Sequence, residues 1–349
     1  MKYKWWYQRF CFGSPVVFYF PYNRIREYYM KTKSKTKKHN LTIHGVSIKK
    51  NKLNKTQKKR IATRIFNTNQ TDAENDLAKL EKIDCDNIHS VKPGSPSGLK
   101  FINQYTLVPR LETIGNKGID FFDFLENKEK FKKKKYVDDF IKLLSKKRNT
   151  TEINQWYTIF KLYFGYVGIF RPIVAMNVYC RFSPHSILDF TMGWGGRLVG
   201  ACALNIPKYM GIDSNLNLRK PYHEMVKTLE KSSSTAIQLL FQDALTVDYS
   251  LLDYDMVFTS PPYYNIELYH GTTEKTKDEW DTEFYGPIFK KTYLHLKHGG
   301  HYCLNVPEEV YERVCLGILG KENMRIPLSK SKRTNKEKYR EYIYVWKKK

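Results

Sequence analysis

From about residue 150 onward, short apolar segments alternate with longer helical patterns. A chain that alternates strands and helices in this way folds into a mostly parallel sheet covered by helices. The predicted strands are residues 187–190, 209–213, 237–241, 254–258, 301–306, 324–328 and 341–346, and the predicted helices are 198–204, 221–230, 280–296 and 308–319. The last two strands are expected to close the sheet as an antiparallel pair. The sequence therefore predicts an α/β, doubly wound sheet with its functional residues at the carboxyl ends of the strands.

A glycine-rich segment, residues 189–197, connects the first of these strands to the following helix and is called the glycine turn below. Gly193 and Gly195 let the backbone approach a ligand closely, because glycine has no side chain and tolerates positive φ. The N-terminus of the next helix presents free N–H groups at the same place. The glycine turn is therefore a candidate binding site for a nucleotide-like ligand.

Three acids lie at the ends of the first three predicted strands. Asp189 ends the first, Asp213 ends the second, and Asp243 follows the third. A carboxylate in the position of Asp213 can accept hydrogen bonds from both hydroxyls of a ribose, and Asp243 is placed to receive the exocyclic amine of an adenine. Together the acids outline an adenosine site, although a dinucleotide enzyme would place glycines and an acid in the same way.

The sequence Thr-Ser-Pro-Pro-Tyr at residues 259–263, called the diproline turn, follows the fourth strand directly. Two prolines fix their own φ angles and donate no backbone hydrogen bond, so the carbonyls of Ser260 and Pro261 are held rigidly. An exocyclic amine on a nucleobase is a poor nucleophile, and acceptors that bind its hydrogens stabilise the charge that develops when it attacks. Tyr263 can stack on the base. The alternative is a surface turn followed by an ordinary core tyrosine.

These features resemble the amino-methyltransferases, S-adenosylmethionine-dependent enzymes that methylate the N4 amine of cytosine or the N6 amine of adenine in DNA. The signatures of that family are an Asp-Pro-Phe-x-Gly-x-Gly turn and an Asp/Asn/Ser-Pro-Pro-Tyr/Phe turn after the fourth strand. The resemblance covers about residues 165–349 and is closest to phage and large-virus methylases with a Gly-Trp-Gly-Gly-Arg turn. One departure is that Phe190 and Thr191 replace the usual Pro-Phe.

The resemblance implies a Rossmann-like class I methyltransferase sheet, S-adenosyl-L-methionine as cofactor and no metal. It also implies that the segment 170–182 is a helix that completes the cofactor pocket. The implied catalytic residues are Ser260, Pro261, Pro262 and Tyr263. The implied cofactor-binding residues are Asp189, Thr191, Gly193, Gly195, Asp213 and Asp243. Arg197 is expected either to orient the cofactor pocket or to lie exposed at the start of a helix.

Positive charge is concentrated at the beginning of the chain. Residues 1–60 hold 17 Lys and Arg and one acid, Glu27, which accounts for +16 of the total charge of +25. The first 30 residues also hold 12 aromatics, and basic residues beside aromatic rings suit single-stranded or flipped bases. The alternative is an aromatic strip on the core followed by a solvated lysine linker. Lys132 to Lys135, Arg333 and Lys336 are further candidates for phosphate contacts.

Two regions are predicted from this distribution. Residues 1–150 form a basic, aromatic-rich N-terminal region that recognises the nucleic acid, and residues 151–349 form the methyltransferase catalytic domain. Only 64 residues separate Gly195 from Thr259, which leaves no room for a recognition domain between the two turns. Target selection is therefore assigned to the N-terminal region together with the loop 264–279, including Tyr264, Asn265, Glu267 and Tyr269. A helix is predicted at 136–147, with Phe140, Leu143 and Leu144 on one face.

The six cysteines are scattered without metal-binding spacing and are expected to be buried thiols in a reducing compartment. No apolar stretch reaches the ~20 residues that a membrane helix needs. The first residues lack the uninterrupted apolar core of a secretory signal. A cytoplasmic protein without membrane attachment is therefore expected, acting in the host cell if it is viral.

The implied reaction is direct methyl transfer to the exocyclic nitrogen of a base flipped out of DNA, as in restriction-modification methylases. Ser260 at the first position of the turn favours cytosine N4 over adenine N6. Two alternatives remain open: an RNA base amino-methyltransferase and a nucleic-acid-binding module that has lost catalysis. An NAD-linked oxidoreductase is disfavoured, because nothing after the fourth strand supplies a site for hydride transfer.

Overall fold

The structure is a computed structural model that describes residues 42–66, 69–115, 117–146, 151–165, 167–268, 275–328 and 341–349. The predictions made for the aromatic and basic residues 1–41 lie outside these ranges. Those for Tyr269, Arg333 and Lys336 lie outside them as well.

The strands of the described ranges agree closely with those predicted after residue 150. They are β1 (Thr42–Ile43), β2 (Val46–Ser47), β3 (Ile114–Gly115), β4 (Ser186–Asp189), β5 (Lys208–Ile212), β6 (Ala236–Leu240), β7 (Met256–Thr259), β8 (Glu267–Leu268), β9 (His301–Val306), β10 (Met324–Leu328) and β11 (Glu341–Lys347). The core strands β4, β5, β7 and β9 are almost wholly buried. Apolar, buried runs of this length are typical of parallel strands covered on both faces.

Within the described residues, the large sheet has seven strands in the order β10-β11-β9-β7-β4-β5-β6. Strands β6, β5, β4, β7 and β9 are parallel, and β11 pairs antiparallel with both β9 and β10. The predicted doubly wound, Rossmann-like sheet with a closing antiparallel pair is confirmed. Strand β4 is the first strand of this sheet and lies in the middle of its five parallel strands. The chain direction across the sheet therefore reverses beside it, and β4 is the topological switch point.

The helices of the described ranges are mostly short. They are α1 (Lys55–Phe66), α2 (Gln70–Glu81), α3 (Leu99–Leu111), α4 (Phe121–Glu126), α5 (Lys128–Lys132), α6 (Lys135–Ser145), α7 (Glu152–Tyr163), α8 (Pro172–Phe182), α9 (Gly196–Ala203), α10 (Arg219–Leu229), α11 (Lys277–Trp280), α12 (Gly286–Leu294), α13 (Glu308–Val310) and α14 (Leu316–Leu319). A π-helical turn joins α11 to α12, and another joins α13 to α14. In the ranges described, no helix has both the length and the apolar character required to cross a bilayer.

Two hydrophobic clusters cover the two faces of the sheet. One contains residues of α2, α3, α8, α9 and α10, and the other contains residues of the α11–α12 and α13–α14 segments. Ile187 of β4 belongs to the first cluster and Leu188 to the second, because successive strand residues point to opposite faces. Helices α2 and α3 were not predicted from the sequence, and they belong to the core of the sheet.

A third cluster defines a separate group of elements, called the helical module here: residues 42–66, 107–115, 117–146 and 151–164. It contains the β1–β2 hairpin, α1 and α4–α7. Helix α3 runs through both groups, since Phe101 packs in the sheet core and Leu107 in the module. Hydrophobic contacts thus cross the predicted domain boundary at residue 150, which remains a prediction.

The helical module is attached to the segment that follows the diproline turn. Strand β3 of the module pairs antiparallel with β8, so that Ile114 lies opposite Leu268 and Gly115 opposite Glu267. Strand β8 begins four residues after Tyr263. The module therefore lies beside the edge of the sheet from which the diproline turn emerges.

Helix α6 confirms the helix predicted at 136–147. Val137 and Leu144 are buried, whereas Phe140 is partly buried and Leu143 is 54% exposed. The face predicted to carry Phe140, Leu143 and Leu144 is therefore only partly covered. The buried stripe follows the seven-residue spacing from Val137 to Leu144.

The expectation that all six cysteines are thiols is also wrong. Cys85 and Cys180 form a disulfide that joins the segment after α2 to α8. Cys202, Cys303 and Cys315 are buried thiols, as expected. The two bonded cysteines are 95 residues apart in sequence, and no local pattern could show that the fold brings them together. The argument for a reducing compartment from unpaired cysteines does not hold for this pair.

Candidate active site

The glycine turn and the diproline turn begin at the ends of two adjacent strands. Strands β4 and β7 are parallel neighbours, with Leu188 opposite Val257. Thr259 Oγ1 donates to Asp189 Oδ1 at 2.8 Å, and Thr191 Oγ1 lies 2.5 Å from Thr259 Oγ1. Because Thr259 has one hydroxyl proton and gives it to Asp189, Thr191 is the donor in the second bond. These two bonds join the starts of the two turns.

Asp189 is fully buried and holds this joint together. Its carboxylate accepts from Arg197 Nε at 2.7 Å and Nη2 at 3.1 Å, from Tyr209 Oη at 2.6 Å and from Thr259. Four hydrogen bonds use the roughly four lone-pair positions of a carboxylate. This geometry favours a positioning role for Asp189 over the direct cofactor contact that the sequence resemblance implies.

Arg197 is buried, which excludes the exposed position at the start of its helix that was one of its two predicted alternatives. Besides its two bonds to Asp189, its Nη2 donates to the carbonyl oxygen of Thr191 at 2.6 Å. Its guanidinium lies 5.1 Å from the centre of the Phe170 ring. Burial alone would lower the pKa of Arg197, but the Asp189 carboxylate raises it above the ordinary value. Arg197 therefore stays charged and ties the glycine turn to β4.

The glycines of the turn are required by its backbone geometry. Gly193 and Gly195 have φ angles of +57° and +94°, which side chains disfavour. A Cβ on Gly196 would lie 1.7 Å from the carbonyl oxygen of Phe170, so only glycine allows this approach of the segment before α8. The predicted helix in segment 170–182 is present as α8, and its N-terminal end lies against the glycine turn.

Asp213 follows β5 and bonds directly to the glycine turn. Its Oδ2 accepts from the backbone N–H of Gly193 at 2.9 Å, and its Oδ1 accepts from that of Asn215 at 2.8 Å. Each oxygen keeps a lone pair for another donor. Burial raises the pKa of Asp213 to about 6, and the two backbone N–H groups oppose that rise. The structure therefore brings Asp213 and Gly193 together.

Asp243 lies near the end of the next strand and is exposed. Its Oδ1 accepts from the backbone N–H of Leu245 at 2.9 Å and caps the short helical turn Ala244–Thr246. The backbone N–H of Asp213 donates to the carbonyl of Leu240 at 3.0 Å, so β5 and β6 end side by side. Asp243 is thus on the same edge of the sheet as Asp213.

The side chains of the diproline turn form a network with the closing strands. Ser260 Oγ donates to Asn305 Oδ1 at 3.1 Å and lies 3.3 Å from Tyr263 Oη. Tyr263 Oη lies 2.7 Å from Asn305 Oδ1 and 2.9 Å from Glu341 Oε1. Asn305 Nδ2 in turn donates to the carbonyl of Tyr342 at 3.0 Å. Four side chains from the turn, β9 and β11 are therefore held in fixed relation.

The backbone after the two prolines is constrained as well. Tyr285 Oη donates to the carbonyl of Pro262 and accepts from the N–H of Tyr264 at 3.1 Å. Tyr264 has a φ of +52°, which is uncommon for a bulky residue and carries strain that the surrounding contacts must hold. Its hydroxyl donates to Asp281 Oδ1 at 3.1 Å. The π-helical turn before α12 thus fixes the exit from the diproline turn.

Asn305 and Glu341 were not identified from the sequence. Asn305 is 2% exposed within the otherwise apolar β9, and Glu341 is 7% exposed at the start of β11. A polar residue in a buried strand is the one signal that points to Asn305. Glu341 follows a basic segment, and nothing in its local sequence distinguishes it from a surface acid.

A cavity of about 260 Å³ lies elsewhere, beside α12. Its lining residues are Thr246, Val247, Asp248, Tyr249, Lys291 and His295. None of the residues predicted to bind the cofactor or to act in catalysis lines it. We therefore place the candidate site at the joined turns rather than at this cavity.

No protein family and no curated protein matches this sequence. Solved structures with a similar fold include TrmN from Thermus thermophilus, with 14% sequence identity and a TM-score of 0.37 over 51% of this chain and 48% of that chain. An rRNA methylase from Streptococcus thermophilus has 12% identity and a TM-score of 0.37 over 52% of this chain and 100% of that chain. The similarity thus covers half of this chain and about half of the length of the Thermus protein.

A third similar structure is precorrin-6y C5,15-methyltransferase from Geobacter metallireducens, with 15% identity and a TM-score of 0.34 over 50% of this chain and 88% of that chain. The names of these proteins include an RNA methylase and an enzyme of a different substrate class. The likeness therefore does not choose a substrate, and the function has to be argued from the site itself.

Proposed function

We propose that this protein uses S-adenosyl-L-methionine to methylate the exocyclic amine of a nucleobase in nucleic acid. The observation that carries the proposal is the hydrogen-bonded joint between Thr191, Asp189 and Thr259. It couples a turn suited to a nucleoside to a turn suited to an amine. A methyl donor in the first and an amine in the second would be adjacent, and positioning of this kind lowers the barrier to transfer.

The residues of the glycine turn fit the proposed cofactor. Gly193 and Gly195 leave space beside the backbone, and both oxygens of Asp213 have lone pairs for the hydroxyls of a ribose. Asp243 is exposed on the same edge for an adenine amine, and Leu216, which is 67% exposed, offers an apolar surface for the ring. The cofactor would supply a methyl group on a positively charged sulfur, so no metal or cysteine nucleophile is needed.

The diproline turn would bind and activate the amine. Ser260 Oγ and the carbonyl of Pro261 would accept its two hydrogens, with the Ser260 side chain taking the place of the backbone carbonyl predicted from the sequence. Acceptors held rigidly before the reaction stabilise developing charge without a cost for reorganisation. The ring of Tyr263, whose hydroxyl is anchored by Asn305 and Glu341, would stack on the base.

The helical module supports a nucleic acid as the substrate. Lys132, Lys133 and Lys135 are exposed at the junction of α5 and α6. Nearby, Tyr136 lies 4.8 Å from Tyr163 between ring centres, and these rings are partly exposed. Lysines beside aromatic rings suit phosphates and unstacked bases. We propose DNA as the substrate, with cytosine N4 favoured over adenine N6 by Ser260.

RNA is the second candidate, because the same basic and aromatic surface suits single strands as well as flipped bases. Mass spectrometry of nucleosides from DNA and from RNA, each incubated with the protein and labelled cofactor, separates the candidates. A labelled N4-methylcytosine from DNA is the expected product. Label found in RNA alone would show that RNA and not DNA is the substrate. Label found in neither would contradict the proposed activity.

Calorimetric titration with S-adenosyl-L-methionine tests the remaining alternative, a binding module without catalysis. Binding to the wild-type protein is expected, and a Ser260→Ala, Tyr263→Ala double variant should bind equally well but transfer no methyl group. A protein that binds nucleic acid without binding the cofactor would be the inert module. Full activity in the double variant would show that the diproline turn is not the catalytic site.

A further inference from the structure

The network beneath the diproline turn has fewer protons than contacts. Four oxygen–oxygen contacts link Ser260, Tyr263, Asn305 and Glu341. The Asn305 oxygen and an ionised Glu341 only accept, so the two hydroxyls supply one proton each. One additional proton on Glu341 would let its carboxyl donate to Tyr263 while Tyr263 donates to Asn305. The network therefore has a defined place for one more proton.

If the proposed function holds, methylation of the amine releases a proton, and a nearby group has to accept it. Transfer breaks the bond between the methyl carbon and sulfur and forms a bond between that carbon and the amine nitrogen. The nitrogen brings two hydrogens, so it carries a positive charge after transfer until one of them leaves as a proton. A group near the diproline turn must accept that proton, directly or through a chain of hydroxyls.

We propose that Glu341 accepts this proton through a relay formed by Ser260 and Tyr263. The Ser260 hydroxyl first turns from Asn305 Oδ1 to Tyr263 Oη. The amine proton then moves to Ser260 Oγ, the original Ser260 proton crosses 3.3 Å to Tyr263 Oη, and the Tyr263 proton crosses 2.9 Å to Glu341 Oε1. Each hydroxyl ends with one proton and Glu341 becomes a neutral carboxyl. The longer step is of the kind that tightens when a substrate binds.

The position of Glu341 suits an acceptor at the end of the relay. Its Oε1 faces the Tyr263 hydroxyl of the diproline turn, and Leu328 of β10 is its partner in the sheet register. Glu341 is only 7% exposed, so Tyr263 rather than open solvent lies against this oxygen. Glu341 acts through Tyr263 and is thus a positioning residue as well as the end of the relay.

A glutamine in place of Glu341 distinguishes proton uptake by this residue from a purely structural role. Glu341→Gln keeps an oxygen that accepts from Tyr263, but it cannot take up a proton. The matched control is Glu322→Gln, because Glu322 also accepts from a tyrosine hydroxyl, that of Tyr311, in the same part of the fold. Glu322 lies beside β10 and contacts no residue of the diproline turn in the described structure.

Single-turnover methyl transfer by the full chain should fall about a hundredfold in Glu341→Gln, the usual scale for loss of a general base. Cofactor affinity should stay unchanged. The wild-type rate should decrease at low pH, because an acceptor that already carries a proton cannot take up another, and this acid limb should disappear in Glu341→Gln. Tyr263→Phe should show the same loss, with little further effect in the double variant, because both break one relay. Glu322→Gln should keep the wild-type rate and acid limb.

A second measurement does not depend on activity. In protein labelled with 13C at the glutamate carboxyl, the signal of Glu341 is the one that Glu341→Gln removes. Tyr263→Phe should change the chemical shift of that signal, because the carboxylate loses a hydrogen bond, and Glu322→Gln should not. An unchanged chemical shift in Tyr263→Phe would overturn the proposed coupling.

The failure of the relay and the failure of the proposed function give different results. An active wild-type protein whose Glu341→Gln variant keeps its rate within twofold and retains the acid limb overturns the relay alone. A wild-type protein that transfers no methyl group to DNA or RNA overturns the proposed function and the relay with it. If Glu341→Gln does not fold, Tyr263→Phe carries the kinetic test.

Discussion

Charged side chains are buried and paired at the carboxyl edge of the sheet, whereas three lysines at the junction of α5 and α6 in the helical module are exposed to solvent. At the edge, Asp189 and Arg197 are buried and bonded to each other at 2.7 Å. In the module, Lys132, Lys133 and Lys135 are exposed to solvent. Buried charges are stable only when they are paired and hydrogen-bonded, whereas exposed charges act at longer range and are screened by salt.

The comparison teaches that the two regions are suited to different steps. Fixed, desolvated groups at the edge of the sheet can hold reactants in one geometry, which is what group transfer requires. Solvated lysines can attract a polyanion but cannot orient a reacting atom. The pairing of β3 with β8 places the attracting surface beside the orienting one.

The largest expected effect comes from breaking the buried pair. Arg197→Met should lower the free energy of unfolding by about 3–5 kcal/mol, because it leaves Asp189 buried without its cation. The matched control is Arg313→Met, since Arg313 forms a partly exposed pair with Asp278 and Asp281 and should cost about 1 kcal/mol or less. Urea unfolding measures both, and equal losses would show that burial does not distinguish the two regions.

Removing the Ser260 hydroxyl should affect turnover rather than folding. Ser260→Ala should lower kcat about a hundredfold, the usual effect of losing one preorganised group at a reacting centre, with cofactor affinity unchanged. Ser250→Ala, which removes a hydroxyl bonded to Asp248 before β7, should keep full activity. Methyl-transfer kinetics would contradict the role of Ser260 if both variants behaved alike.

Neutralising the exposed lysines should weaken substrate binding without changing the chemical step. Replacing Lys132, Lys133 and Lys135 with glutamine should weaken nucleic-acid binding about tenfold at low salt and reduce the slope of log affinity against log salt by about 2–3. The matched control replaces Lys227, Lys231 and Lys290 with glutamine. These exposed lysines lie in or next to α10 and α12, outside the helical module. Fluorescence anisotropy at several salt concentrations would refute the assignment if the control lost as much affinity.

The smallest expected effect is the pH dependence of cofactor binding. Because the pKa of Asp213 is raised to about 6, its carboxylate becomes protonated as the pH falls below that value and loses an acceptor for the ribose. Affinity should be roughly fourfold weaker at about pH 5.5 than at neutral pH, from the fraction still ionised. Calorimetry should find this dependence in the wild type and not in Asp213→Asn.

The same shift has a consequence for stability with a definite sign. Between the ordinary value of 3.8 and about 6, the folded protein holds a proton on Asp213 that the unfolded chain has released. The contribution of Asp213 to stability therefore falls as the pH rises through this range. Asp213→Asn should remove that part of the pH dependence in thermal unfolding.

Much of the catalytic half of the fold follows from local patterns. The strands after residue 150 appear within about two residues of their predicted positions, because buried apolar runs and their glycine and proline boundaries act over a few residues. Helices α2 and α3 could not be assigned to the sheet core in this way. Most of their buried side chains are apolar, but the surface they cover belongs to α8, α9 and α10.

The residues of the candidate site also differ in whether the sequence alone could identify them. Gly193, Gly195 and residues 260–263 could be selected from the sequence, because glycine and proline restrict the backbone wherever they occur. The role of Arg197 depended on whether it was buried, and a helix-start arginine gives no indication of that. Glu341 lies 78 residues from Tyr263 along the chain, and no spacing rule connects them.

The order of strands and helices, the two turns and the excess of basic residues were determined by the sequence alone, because each depends on residues close together in the chain. Tertiary structure decided which of these features meet. The bond from Thr259 to Asp189, the Cys85–Cys180 disulfide and the contact of Glu341 with Tyr263 all depend on strand order and side-chain burial. Those are properties of the whole sheet, since a strand's neighbours are set by the packing of the entire chain and not by its own residues.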